Sequence, residues 1–210
     1  MKRPRAYNMA KRGAFSAETR RRILEAARRL LAGRETTDLG LDAIAHAARV
    51  SRVTIYNQFG SRSGLLEALY DYLAARGNVR RGEAALVQND LHLVIRGVIR
   101  ALVGFWSSDT IAIRRLHAMA ALDAEIEKGL AVRETRRRQA AAQIVRRFAP
   151  TATQQAHRWT DRLAADALSV VVSFEIYDAL ARAGHRREEI VAVMTHLARG
   201  ILARPRSLPK

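Results

Sequence analysis

Apolar residues recur along most of this chain at spacings of three and four, the period of an α-helix, and nowhere alternate as they would in a strand. The pattern predicts an all-α fold. Ser16 is placed to cap a first helix, with Glu18 in its first turn and Ile23, Ala27, Leu30 and Leu31 on its inner face. Leu41, Ile44, Ala45 and Ala48 predict a short second helix with one apolar face, followed by a turn at Arg49 and Val50. Ser51 is a suitable N-cap for a third helix running to Phe59. Gly60 ends it, Ser61 begins the next, and Leu65, Leu66, Leu69, Tyr72 and Leu73 give that fourth helix an inner stripe to about Ala75.

Residues 76–88, with Gly77, Asn78 and Gly82 among scattered charges, read as a linker. Helical spacing resumes over 90–106 and again after Asp109, and a longer basic helix is predicted from Glu125 to Phe148, stopped by Pro150. Residues 153–183 read as one long helix closed by Gly184, apolar on more than one face between Leu163 and Leu180. A last helix spans 186–202.

The third helix breaks the apolar pattern. Val53, Tyr56 and Phe59 are expected to face inward, leaving Ser51, Arg52, Thr54, Asn57 and Gln58 as a face of hydrogen-bonding groups that a core does not need. Short apolar helix, tight turn and polar helix together make a helix-turn-helix. The stretch from Thr19 to Leu66, through TRRRILEAARRLLA, IAHAARVS, TIYNQF and SRSGLL, resembles the DNA-binding domain of the tetracycline-repressor (TetR) family of transcriptional regulators. The resemblance covers about a quarter of the chain. It departs from the family pattern at Arg49, where a glycine is usual, at Glu35 and Thr36 in place of a Gly-aromatic pair, and at Leu39 and Gly40 in place of two threonines.

The resemblance implies a basic, flexible arm over 1–14, a DNA-binding domain over 15–62 and a helical effector-binding and dimerisation domain over 63–210. Arg52, Asn57 and Gln58 are the candidate readers of base edges, because arginine suits guanine and amides suit adenine. Thr54, Tyr56 and Arg62 are expected on phosphates, with Arg20, Arg21 and Arg22 near the DNA backbone and Ser51 either capping or touching DNA. The implied partners are a roughly palindromic double-stranded operator, a second copy of the chain paired through the last two large helices, and a small apolar or amphipathic effector. Phe105, Trp106, His117, Met119, Trp159, Phe174 and Tyr177 are the residues large or polar enough to line an effector cavity.

Charge strengthens the nucleic-acid reading without deciding it. The formal net charge is +17, from 37 Lys and Arg against 20 Asp and Glu, and a surface so basic favours a polyanion. The first 80 residues hold 16 basic and 7 acidic side chains, so charge is denser there. The chain has no cysteine, which excludes disulfides and thiolate metal sites and suits a reducing compartment. The apolar run from Ala167 to Phe174 is far shorter than the roughly 20 residues of a membrane span, and residues 1–14 lack a signal peptide's apolar segment; a cytoplasmic protein without membrane partners is expected. The six histidines show no metal-ligand spacing, and there is no nucleophile elbow or phosphate-cradling glycine loop, so neither catalysis, metal nor cofactor is expected.

Overall fold

The computed structural model describes residues 5–33, 39–77, 79–148 and 161–203. Among these residues every regular element is a helix: α1 (Arg5–Ala32), α2 (Leu41–Ala48), α3 (Arg52–Phe59), α4 (Arg62–Arg76), α5 (Arg80–Leu86), α6 (Leu91–Ser108), α7 (Thr110–Ala120), α8 (Ala124–Phe148), α9 (Asp161–Val171), α10 (Phe174–Arg182) and α11 (Arg187–Ala203). Contacts divide the chain into two units. One comprises residues 1–72 and 111–129, the other 73–110 and 130–210.

In the first unit α1 buries Ile23, Leu24, Ala26, Ala27 and Leu31 and packs on α2, which contributes Leu41, Ile44, Ala45 and Ala48 to the same core. α4 adds Leu65, Leu66, Leu69 and Tyr70. Its start lies close to the end of α3: a Cβ on Gly64 would sit 2.2 Å from the Phe59 carbonyl oxygen, so only glycine fits there. The helix α1 extends well beyond the expected cap at Ser16. Residues 5–14, expected within a flexible basic arm, continue the same helix, and residues 1–4 lie outside those described.

In the second unit Asp90 caps α6 by accepting a hydrogen bond from the Leu93 amide at 2.9 Å. α6 is long and apolar enough to cross a membrane by length and composition. It is instead packed on both α5 and α11, burying Val94, Ile95, Ile99, Val103 and Trp106. The helix α5 replaces part of the linker expected over 76–88. Gly82 does not break the helix: it faces Ala101, and Gly97 of α6 faces Ala85, so two small residues let the helices approach closely.

The single helix expected over 153–183 is two. Residues 149–160 lie outside those described, and the chain breaks between α9 and α10, where Ser173 takes an extended backbone (φ −99°, ψ 163°). The break follows Val170, Val171 and Val172, β-branched side chains that crowd the preceding turn of a helix and weaken it.

Candidate nucleic-acid interface

The α2–α3 turn is built by Arg49, whose backbone is left-handed (φ 53°, ψ 51°). Its amide donates to the His46 carbonyl at 3.1 Å and the Val50 amide reaches back to Ala45 at 3.0 Å, closing the free carbonyls of α2. Among the described residues it is the one non-glycine with positive φ. Ser51 then accepts a hydrogen bond from the Thr54 amide at 3.1 Å, and its hydroxyl lies 2.9 Å from that of Thr54. Ser51 is therefore a cap, and Thr54 is half-buried beside it.

α3 is held by a single fully buried side chain, Ile55, 1% exposed. The expectation that Val53 and Tyr56 face inward is corrected. Val53 is 66% exposed and Tyr56 43%, and they share the outer face with Arg52 and Asn57. Two stripes three or four residues apart run along so short a helix, 53–56–59 and 55–59, and neighbouring α1 and α2 select the second. The i, i+4 pair of Ile55 and Phe59 was the available signal. No acidic residue occurs between Ser51 and Gly60.

The other end of α3 is clamped from α1. The Arg20 guanidinium donates to the Gln58 carbonyl at 2.7 Å and lies 4.2 Å above the Phe59 ring, a cation at a helix C-terminus. Gln58 donates through its side-chain amide to the Ser16 hydroxyl at 3.0 Å. Two expected DNA contacts, Arg20 and Gln58, are thus engaged in orienting the helix. Arg21 is exposed and paired with Glu18 at 2.8 Å, and Arg22 is exposed. Arg52 meets Asp42 of α2 at 3.1 Å; the Tyr56 hydroxyl and then the Asp42 charge hold its pKa above the ordinary guanidinium value.

Arg62 is expected on a phosphate, but its guanidinium is taken by carboxylates. It meets Asp123 at 2.5 Å and also binds Glu125, which in turn accepts from the Ser63 hydroxyl at 2.6 Å. The hydrogen bond from Arg62 holds the Asp123 carboxyl below its usual range, and the Ser63 and Arg62 bonds do the same for Glu125. Asp123 also receives the Glu125 and Ile126 amides, so Arg62 is bound to the cap of α8.

Residues 23–69, from the middle of α1 through most of α4, match the family model described as bacterial regulatory proteins, tetR family. The matched segment, helix-turn-helix included, is similar to the DNA-binding segment of TetR-family regulators. The chain is 36% identical over 112 residues to the HTH-type transcriptional regulator AlkX of Mycobacterium tuberculosis; the match takes in 52% of this chain and 53% of that protein, so the chain spans about half the length of the curated relative it matches. A TetR-like transcriptional regulator from Rhodococcus sp. RHA1 superposes with a TM-score of 0.63 at 19% identity, over 96% of this chain and 99% of that one. LfrR of Mycobacterium smegmatis, solved in complex with proflavine, gives 0.52 at 23% identity over 87% and 94%. Likeness at these identities speaks for the fold alone, and it extends beyond residues 23–69.

The residues expected to line a TetR-family effector cavity do not form one lining. Trp106, Phe174 and Tyr177 pack on one another, with ring centroids 5.6 to 6.3 Å apart, and all three are buried. The Tyr177 hydroxyl lies 2.9 Å from that of Thr110. Phe105 is half-buried against Gly77. His117 and Met119 belong to α7 in the first unit, and Trp159 lies outside the described residues. Two cavities in the second unit have other walls. One of about 320 Å³ lies between α6 and α11; another of about 500 Å³ is bounded by α8 and α9, with Arg138, Arg146, Arg162 and Asp166 on its rim.

Proposed function

We propose that this protein is a sequence-specific DNA-binding transcriptional regulator, a repressor whose operator affinity is changed by a small molecule bound in its C-terminal unit. The observation that carries the reading is the outer face of α3. Arg52, Val53, Tyr56 and Asn57 are exposed on a helix without acidic residues, and that helix is fixed at its start by Ser51 and at its end by Arg20. A helix so oriented suits the major groove, with Arg52 toward guanine, Asn57 toward adenine and Val53 toward a thymine methyl group. Thr54, Tyr56, Arg21 and Arg22 are the remaining candidates for the sugar-phosphate backbone.

Two copies would read a roughly palindromic site, with half-sites about 34 Å apart or a multiple of it. Leu163 and Val170 of α9 and Val193 and Leu197 of α11 are exposed, which supports pairing through the last helices. The proflavine complex of LfrR supports a small-molecule effector. The bacterial cytoplasm, at the nucleoid, is the proposed location.

Selection of binding sites from a random duplex pool, followed by affinity measurements at fixed salt, tests this. A recovered site should be bound at least about 1,000-fold more tightly than random duplex, the lower end for specific regulators. Equal affinity for both would replace the reading by a sequence-indifferent DNA organiser.

A further inference from the structure

The groove between α6 and α11 has the chemistry of a ligand site that the DNA-binding reading does not use. His92 and Arg96 stand one helical turn apart on α6, facing Glu188, Val191, Ala192, Thr195, His196 and Arg199 of α11 around the cavity of about 320 Å³. That is the lower end of the size range for small-molecule sites.

Its polar groups are unspent. Thr195 is 6% exposed, yet its hydroxyl has no hydrogen-bond partner, not even the carbonyl one turn back that a helical threonine ordinarily takes. The buried Nδ1 of His92 has none either. Arg96 and Arg199 make no ion pair among the described residues, while the one carboxylate on the rim, Glu188, lies 3.6 Å from Arg100. Guanidinium groups only donate, and the Thr195 hydroxyl and a histidine N–H can donate beside them. The missing element is an acceptor carrying negative charge. Val191 and Ala192 supply an apolar wall next to it.

We propose that this groove binds a small oxyanion, a carboxylate or phosphate group carried on a compact apolar body. The cationic pair fixes the anion through charge-assisted hydrogen bonds, Thr195 adds a donor at the buried end, and the apolar body lies on Val191 and Ala192. This deepens the effector part of the proposed function and rests on it only for calling the occupant an effector.

The test is calorimetric titration of the full chain at constant ionic strength with benzoate, phenyl phosphate, inorganic phosphate and benzyl alcohol. Saturable binding of benzoate identifies a carboxylate as the occupant, and saturable binding of phenyl phosphate identifies a phosphate; benzyl alcohol, which has the ring without the charge, should not bind. The double substitution Arg96→Ala with Arg199→Ala should weaken the anion at least tenfold, and the isosteric Thr195→Val several-fold. Circular dichroism and ligand-free affinity for the selected DNA should be unchanged in both. If the double variant does not fold, Arg199→Gln alone carries the comparison.

The proposal is overturned if neither aryl anion binds saturably, if the folded variants bind as tightly as the parent, or if benzyl alcohol or inorganic phosphate binds as well as the aryl anions. The parallel DNA measurement keeps the two readings apart. Loss of DNA recognition would appear there in the parent protein without ligand, whereas failure of the groove appears only in the titrations.

Discussion

The two helices of the helix-turn-helix have eight residues each and do opposite things with them. α2 buries Leu41, Ile44, Ala45 and Ala48, half its length, and is a piece of core. α3 buries Ile55 alone. Its position comes from its ends, Ser51 at the first turn and Arg20 with Ser16 at the last, so burial does not consume the face between them. A helix fixed by its ends can present four adjacent side chains to a partner without loosening the fold. The same arrangement makes α3 depend on few groups.

The largest expected effect follows from that dependence. Ile55→Ala removes the one deep anchor of α3 and should cost roughly 2 to 5 kcal/mol of stability, the range for large-to-small changes in a core. It should also reduce affinity for a selected operator even under conditions where the first unit remains folded. Ile44→Ala should cost a similar amount, but with three buried neighbours still holding α2 the folded fraction should bind DNA nearly as before. Urea unfolding monitored alongside operator binding separates the two. Equal residual affinities in the folded fractions would mean that α3 is held by more than Ile55 and its ends.

The opposite signature is expected of the outer face. Val53→Ala and Asn57→Ala should leave the urea midpoint within about 0.5 kcal/mol of the parent, as exposed substitutions do. Each should lower discrimination at one base pair by roughly 1 to 3 kcal/mol. Arg52→Ala belongs to the same set, although losing its contact with Asp42 makes it a less clean probe. The measurement is the affinity for operators permuted base by base against random duplex. Equal losses on both would remove these residues as readers and return the exposed face of α3 to solvent.

The contrast between α2 and α3 also explains what the sequence alone could tell. The apolar face of α2 was legible residue by residue, because four matching positions leave one way to turn the helix. In α3 the aliphatic side chains Val53 and Ile55 stand on different faces, and the choice between them lies in α1 and α2. Periodicity within α3 offers both stripes, 53–56–59 and 55–59, and does not rank one above the other. Long-range engagements were invisible for the same reason: Arg20 with Gln58, and Arg62 with Asp123, join positions 38 and 61 residues apart. In the second unit the helix over 91–108 was legible from its own stripe, whereas the break before Ser173 was hidden in a run whose apolar character suits a continuous helix as well as two.

The smallest expected effect concerns the turn that joins the two helices. Arg49 holds a left-handed backbone that costs an ordinary L-residue roughly 1 to 2 kcal/mol, and glycine would adopt it freely. Glycine also makes the unfolded chain more flexible, which offsets part of the gain. Arg49→Gly should therefore stabilise the first unit by about 0.5 to 1 kcal/mol in urea. Removing an exposed positive charge near DNA should at the same time weaken binding to all sequences slightly and reduce the salt slope by about one unit or less. Arg49→Asn distinguishes the two consequences, since asparagine tolerates the left-handed region but likewise lacks the charge. It should show the same salt slope as the glycine variant with a smaller gain in stability. A fall in stability for both would mean that the Arg49 side chain contributes more to the turn than its backbone conformation costs.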